Sequence, residues 1–187
     1  MSVEILIHSR GLTRLPDEVW QHAEIRTLDA GHNQIDEVPV LPPVTDFLYL
    51  HDNRLRSIPF VNLERLKYLN LGDNPLDPLT DGIAALASLE ELRLENSGLS
   101  ALPNAIGSLG ALVELALRGN ALTTLPESMR ALTRLTHLDL RGNRFATLPP
   151  FLAELPRLAK LDLRWNHGIA LPGWADGLKA RGCRILL

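Results

Sequence analysis

The leucines of this chain follow a spacing that is neither helical nor simply alternating. In the stretch L-T-H-L-D-L-R-G-N-R-F-A-T-L-P, residues 135–149, leucine stands at the first, fourth and sixth positions and asparagine at the ninth. The same phrase begins at Leu112 and again at Leu158, so it returns every 23 residues. Self-similarity at such a period is typical of repeat architectures, so the pattern has to be interpreted one repeat at a time.

The repeat extends over nearly the whole sequence. The first positions of eight units are Ser2 (degenerate), Ile25, Thr45, Leu66, Leu89, Leu112, Leu135 and Leu158. Two units are short, with 20 residues from Ile25 to Thr45 and 21 from Thr45 to Leu66, and residues 183–187 predict a partial last strand. No linker or low-complexity segment interrupts the series, so a single domain over residues 1–187 is expected.

Each unit predicts one strand followed by a turn. The fourth and sixth positions alternate, so Leu138 and Leu140 should point into a core and Asp139 away from it. The asparagine at position nine should hydrogen-bond backbone groups that the turn leaves unpaired, and should reach the neighbouring unit. These ladder asparagines are Asn33, Asn53, Asn74, Asn120, Asn143 and Asn166, and Ser97 interrupts the series.

The second half of each unit predicts an outer segment that returns over the core. In residues 126–132 a proline begins the segment, and Met129 and Leu132 stand three apart, which suits the inward face of a short helix. Helices are wider than strands, so the stack should curve with its strands on the concave side.

These phrases resemble the leucine-rich repeat family over essentially the full chain. The family pattern L-x-x-L-x-L-x-x-N-x-L recurs with few exceptions, and the long units look like the leucine-proline subtype. Residues 41–53, L-P-P-V-T-D-F-L-Y-L-H-D-N, look like the short repeat of bacterial effector-type members, which favours a bacterial source. The resemblance implies an α/β solenoid, a curved right-handed coil with a parallel sheet on its concave face and short helices or turns on its convex face.

The resemblance also implies binding of other proteins, typically through the concave sheet. A protein–protein interaction scaffold with an unidentified protein partner is therefore the first expectation. The alternative is the recognition domain or subunit of a larger bacterial effector or enzyme, such as a ubiquitin-ligase-type effector. We expect no catalytic domain after Leu187 and no disordered leader, because Ile5 and Ile7 are already in register, and both expectations weigh against the alternative.

An aromatic patch is predicted on the concave face. Phe47 and Tyr68 occupy position three of adjacent units, Tyr49 occupies position five and His51 position seven. The chain has four phenylalanines and two tyrosines, so half of these residues gather on one outward surface. Large aromatic side chains dominate the binding energy of interfaces, so this patch is a candidate partner site. The alternative is that the rings only pack on one another and shield the sheet.

Two charged groups follow along the sheet. The first contains Glu90, Glu91, Glu95 and Glu114 around Arg93, and the second is an arginine column, Arg118, Arg141 and Arg164 at position seven, bordered by Trp165. We add Arg93, the column and Trp165 to the predicted partner site. Asp139 and Asp162 lie within reach of the column, so a self-satisfied ladder of ion pairs is the favoured interpretation, and recognition of an acidic segment is the other.

Catalytic chemistry is poorly represented in the sequence. No G-x-S-x-G, P-loop or dinucleotide-binding motif occurs, and an open sheet gives Glu91 and Glu114 no enclosed pocket. His32 and His51, with neighbouring aspartates, lack the spacing of a metal site. Cys183 is expected to be a small buried core residue. We therefore expect no enzymatic activity, no cofactor and no metal.

Composition and chain ends add further limits. A net charge of -3 gives no global attraction to nucleic acid or anionic membrane, and no apolar run approaches a membrane span. A single cysteine fits a reducing compartment, so a cytoplasmic location is expected, with secretion as an effector the alternative. No polar cap precedes Ile5, and Ile185 and Leu187 are apolar, so we predict self-association or partner binding at an uncapped end, foremost the N-terminal one.

Overall fold

Nine short strands form a single parallel sheet in strict sequence order in the computed structural model, which describes residues 3–76 and 78–187. The strands are β1 (Val3–Leu6), β2 (Ile25–Asp29), β3 (Val44–Tyr49), β4 (Tyr68–Asn70), β5 (Glu91–Arg93), β6 (Glu114–Ala116), β7 (His137–Asp139), β8 (Lys160–Asp162) and β9 (Arg184–Leu186). The prediction of one parallel strand per unit, with a partial last strand, is confirmed. The start of the first unit at Ser2 lies outside the described residues.

Short helices cover the side of the core opposite the sheet. The described residues contain five 3₁₀ helices, Asp17–Gln21, Asp81–Ala85, Asn104–Ser108, Glu127–Ala131 and Pro150–Glu154, and one α-helix, α1 (Ala175–Ala180). The helix predicted in residues 126–132 is a 3₁₀ helix that directly follows Pro126, and its Met129 and Leu132 are fully buried. Residues 30–43 and 50–67, the outer parts of the two short units, contain no helix, which accounts for their shorter length.

The core is a continuous stack of leucines between the sheet and the outer segments. Leu138 is 1% exposed and Leu140 0%, as predicted for positions four and six. Cys183 is buried in the same core, also as predicted. At the ends of the stack Ile5 and Ile185 are only partly buried, because each has a neighbouring strand on one side alone. No helix in the described part of the chain is long and apolar enough to cross a membrane.

The backbone turns sharply at position eight of each unit. This residue has a positive φ throughout, and the series is Ser9, His32, Asp52, Asp73, Asn96, Gly119, Gly142 and Trp165. Glycine and short polar residues tolerate this left-handed conformation, whereas a bulky side chain there is an outlier. Trp165, with φ 62°, is that outlier.

Candidate functional site

The asparagine ladder fixes the end of each strand and therefore the direction of the concave side chains. The amide of Asn120 donates hydrogen bonds to the carbonyls of Leu94 (2.8 Å) in the preceding unit and Leu117 (2.9 Å) in its own. Its Oδ1 accepts the N–H of Leu99 at 3.0 Å. Equivalent bonds, including one to the preceding unit, are made by Asn33, Asn53, Asn74, Asn143 and Asn166.

Ser97 breaks this ladder in the middle of the sheet. Its hydroxyl donates to the carbonyl of Glu95 at 3.1 Å, within its own turn, and is too short to bridge to the preceding unit. The N–H of Leu76, for which an asparagine side chain would have supplied the acceptor, donates instead to the main-chain carbonyls of Asn74 at 2.9 Å and Ser97 at 3.1 Å. One side-chain link between two units is thus replaced by a backbone contact.

The aromatic patch, defined as Phe47, Tyr49 and Tyr68, is assembled on the concave face. Phe47 and Tyr68 are register partners on β3 and β4, with ring centroids 6.1 Å apart. The centroids of Tyr49 and Tyr68 are 4.8 Å apart, and all three side chains are half-buried. Burial raises the pKa of both tyrosine hydroxyls, so the patch is uncharged at neutral pH. The three rings contact one another, and each keeps part of its surface exposed to solvent.

His51 borders the aromatic patch but is engaged on its other side. Its ring centroid is 6.3 Å from that of Tyr49 and 4.6 Å from that of His32. The ring lies over Gly31, where an added Cβ would be only 2.4 Å from Cε1 of His51. Its Nδ1 is buried and has no hydrogen-bond partner among the residues that the structure describes. Burial, followed by the charge of His32, lowers the pKa of His51.

Arg93 joins the aromatic patch to Glu91 on β5 and to Glu95 in the turn after it. Its Nε and Nη2 donate to Oε1 of Glu95 at 3.1 and 3.0 Å, and its Nη1 donates to Oε1 of Glu91 at 3.3 Å. Burial disfavours the guanidinium charge, but the hydrogen bonds to Glu95 outweigh it and hold the pKa of Arg93 above its ordinary value. Arg93 is therefore a fixed cation beside Tyr68.

The three arginines of the column differ in whether they form ion pairs. Nε of Arg141 donates to Oδ2 of Asp139 at 2.9 Å and lies 3.6 Å from Oδ2 of Asp162, and Nη2 of Arg164 donates to the same Asp162 oxygen at 2.8 Å. Asp162 is 1% exposed, because the two arginines cover it. Arg118 makes no ion pair with any residue that the structure describes. This geometry supports the ion-pair ladder for Arg141 and Arg164.

Trp165 stands at the edge of the column as an exposed ring. Its side chain is 62% exposed, and the guanidinium carbons of Arg141 and Arg164 lie 5.9 and 5.7 Å from its ring centroid. Cation–π contacts at these distances are attractive but do not cover the ring. Trp165 is thus a strained and exposed aromatic residue in the turn that follows β8.

A central groove on the concave face was not predicted. It has a volume of about 190 Å³, lies over Ala116 on β6, and is lined by Glu91, Arg93, Glu114, His137, Asp139, Arg141, Lys160 and Asp162. It exists because Ala116, between Arg93 and Asp139 in the register of the sheet, has the smallest side chain of the three. The sequence signal that could have predicted the groove is the small Ala116 at position five of its unit, between the longer Arg93 and Asp139 at the same position of the adjacent units.

The concave face shows little provision for metal chemistry. Nε2 of His32 and Nε2 of His51 are 3.1 Å apart, and Nδ1 of His32 is 2.7 Å from Oδ2 of Asp52. Among the described residues, no group of three or more histidine, cysteine, aspartate or glutamate side chains is placed to hold a metal ion.

Comparisons with known proteins agree with this architecture. Residues 44–162 match a family model described as a leucine-rich repeat region. A leucine-rich repeat protein of Leptospira interrogans is 29% identical over 99% of this chain, with a TM-score of 0.86, and the chain spans 48% of that protein. No curated protein matches the chain in sequence.

A plant structure is also similar. The leucine-rich repeat ectodomain of the membrane receptor kinase GASSHO1/SCHENGEN3 from Arabidopsis thaliana, in complex with Casparian strip integrity factor 2, is 28% identical with a TM-score of 0.70. The match covers 89% of this chain and 22% of the plant protein.

Proposed function

This chain belongs to the leucine-rich repeat family, and we propose that it is a scaffold that binds a partner protein through its concave face. The observation that carries the proposal is the aromatic patch. Phe47, Tyr49 and Tyr68 lie ring against ring on the face of the sheet that the core does not use. Three half-exposed aromatic side chains in contact are the kind of anchor on which interface energy concentrates.

Two further observations support the concave face as the binding surface. Arg93 is held beside Tyr68 by Glu95 and Glu91, so a partner would meet a preorganised cation next to the rings. The similar plant ectodomain is itself in a complex with Casparian strip integrity factor 2. Arg118, with Trp165 and the remainder of the arginine column, forms a second and weaker region of the proposed site.

We assign this scaffold no catalytic role of its own. The carboxylates of Glu91 and Glu114 lie in an open groove, where no enclosed and dry pocket tunes them for acid–base chemistry. The bacterial short repeats and the bacterial protein among the similar structures favour a bacterial source. The single cysteine favours a cytoplasmic location.

The test is a quantitative pull-down with the full chain as bait and lysate of the source organism. The first variant, Phe47→Ala with Tyr68→Ala, removes the anchors and should abolish capture of the specific partner. The second, Arg118→Glu with Arg141→Glu, should weaken capture less severely and more so at low salt, because charges mainly steer encounter. Trp20→Ala, which removes an exposed aromatic from an outer 3₁₀ helix, is the matched control and should capture normally.

Phe47→Ala with Tyr68→Ala should melt within a few degrees of wild type, because both side chains point out of the core. Arg118→Glu with Arg141→Glu should melt lower, because Arg141 is one of the two cations that cover the buried Asp162, so its capture is compared with wild type below its own melting temperature. If both retain every partner that wild type captures, the concave face is not the binding site. Loss of capture in Trp20→Ala alone would place the site on the convex side instead.

A further inference from the structure

The central groove joins the aromatic patch on the same face of the sheet. Tyr68, Glu91 and Glu114 are register partners on the consecutive strands β4, β5 and β6. Side chains in this row stand about 4.8 Å apart, the spacing of neighbouring strands. A segment that crosses the strands therefore meets aromatic rings first and carboxylates next.

Two of the four carboxylates that line the groove, Glu91 and Glu114, repel one another. Glu91 and Glu114 lie directly opposite across adjacent strands, an arrangement that destabilises a sheet when the charges are alike. Burial raises the pKa of Glu91, and the charge of Glu114 raises it further. The free protein thus retains an unfavourable interaction that a cation between the two side chains would relieve.

The cationic side chains beside the groove only partly neutralise Glu91 and Glu114. Arg93 makes its closer contacts with Glu95 and reaches Glu91 at 3.3 Å. Among the residues that the structure describes, Glu114 has one ion-pair partner, His137, whose Nδ1 lies 3.6 Å from Oε1 of Glu114 and 2.8 Å from the hydroxyl of Thr136.

The other arginines of the groove's surroundings are already engaged. Arg141 and Arg164 are paired with Asp139 and Asp162. Lys160, which also lines the groove, makes no ion pair with a described residue, but it lies two strands from Glu114, on β8. An acidic partner group would meet this single cation or would have to break the arginine pairs, whereas a basic group finds two carboxylates with spare acceptor capacity.

The groove has room for such a group. Its volume of about 190 Å³ is several times the roughly 30 Å³ that one water molecule occupies in the liquid, so a side chain can enter. Ala116 forms its floor and contributes only a methyl group, which leaves space for the methylene stem of a long basic side chain.

Building on the proposed function, we infer that the partner segment crosses the strands and places a lysine or arginine side chain between Glu91 and Glu114. An apolar side chain of the same segment rests on the aromatic patch. The midpoint of β3 and β4 is two strand spacings from that of β5 and β6, roughly 10 Å, which an extended chain covers in about three residues. The fitting ligand is thus a peptide with an apolar residue about three positions from a basic one.

The experiment uses a phage-displayed library of random peptides of about 12 residues, selected on the full-length wild-type chain. The selected pool should be enriched in lysine and arginine about three positions from an aromatic or aliphatic residue. A consensus peptide is then synthesised with its basic residue intact or replaced by norleucine, and its Kd is measured by fluorescence anisotropy. The protein variants are Glu91→Gln with Glu114→Gln, and Phe47→Ala with Tyr68→Ala.

The glutamine pair should weaken binding of the basic peptide at least tenfold and leave binding of the norleucine peptide unchanged. Glu18→Gln with Glu37→Gln, two exposed carboxylates outside the groove, is the matched control and should have no effect. Circular dichroism should show all three double variants folded, since each alters exposed or half-buried side chains.

Three results would overturn the inference. They are a pool enriched in acidic residues, equal binding of the two peptides, and no selected binder at all. If the glutamine pair has no effect while Phe47→Ala with Tyr68→Ala abolishes binding, the basic-residue inference fails and the proposed concave site stands. If neither pair changes binding, both fail.

Discussion

Nε2 of His51 lies 3.1 Å from Nε2 of His32, so the two imidazoles share one hydrogen bond between the turns of adjacent units. One nitrogen must carry the proton and the other must be bare, because two facing N–H groups would clash. Oδ2 of Asp52 is 2.7 Å from Nδ1 of His32, on the far side of that ring. Within the described residues 3–76 and 78–187 the buried Nδ1 of His51 has no partner, so a proton added there would gain no acceptor.

This contact makes the stability of the array depend on pH near neutrality. Burial and the neighbouring His32 lower the pKa of His51 below its ordinary value of 6.5, so the unfolded chain binds that proton more readily. The resulting stability is fully present above about pH 6.5 and is lost as pH falls through the folded-state pKa. Urea unfolding between pH 7.5 and 5 should show this decline in wild type and a smaller one in His51→Gln. His167→Gln, at an exposed histidine, should follow wild type, and an unchanged slope in His51→Gln would contradict the assignment.

Substitution of a core leucine should unfold the array. Leu140 is 0% exposed, and Leu140→Asp would place a charge among leucines with no partner. Leu140→Ala should cost about 2–5 kcal/mol and remain folded. Leu6→Asp, at a leucine that is 53% exposed, is the control and should melt close to wild type. A Leu140→Asp protein with a wild-type thermal melt would show that the repeat register is wrong.

Changes to the ladder should alter stability in both directions. Asn120→Ala removes the side-chain bonds to Leu94, Leu117 and Leu99 and should cost about 1–3 kcal/mol, the usual penalty for unpaired buried polar groups. Ser97→Asn restores the missing link and should add about 1 kcal/mol. In wild type, amides at the Ser97 turn should exchange with deuterium faster than those at the Asn120 turn. Slower exchange at Ser97 would contradict this account.

Relief of backbone strain at Trp165 should stabilise the protein. The other units place glycine, a short polar residue or, in one unit, His32 at this left-handed position, and a bulky residue there costs about 1–2 kcal/mol. Trp165→Gly should therefore raise the free energy of unfolding by roughly 1 kcal/mol. Gly142→Ala, at φ 61°, should lower it by a similar amount. Destabilisation by Trp165→Gly would show that the ring contributes more through its arginine contacts than its backbone costs.

The ends of the sheet should support self-association. β1 and β9 are its outermost strands, and Leu6 and Leu187 are 53% and 67% exposed. Unpaired strand edges are templates for another strand, and a charged residue blunts them. Light scattering should show mass increasing with concentration, reduced by Leu6→Lys more than by Leu187→Lys if the N-terminal edge is the contact. A strict monomer at high concentration would contradict the prediction.

The repeat sequence by itself determined the architecture and the register. The position-four and position-six leucines and the position-nine asparagines recur at fixed offsets, so Leu138, Leu140 and Asn120 could be placed without coordinates. The aromatic patch could also be placed, because Phe47 and Tyr68 occupy the same position in adjacent units, and one strand per unit brings equal positions together. The 3₁₀ form of the outer segments was not specified, since spacing three residues apart fits either helix.

Only the tertiary structure decided how the concave side chains share their charges. Position alone made Arg118, Arg141 and Arg164 equivalent, yet Arg141 and Arg164 close over a buried Asp162 and Arg118 does not. The groove over Ala116 likewise depends on how far its neighbours' side chains reach. These outcomes depend on side-chain conformations and on contacts between residues about twenty positions apart in sequence. The repeat determines the backbone position from which each side chain projects, whereas packing against the neighbouring units determines the conformation and the partners of that side chain.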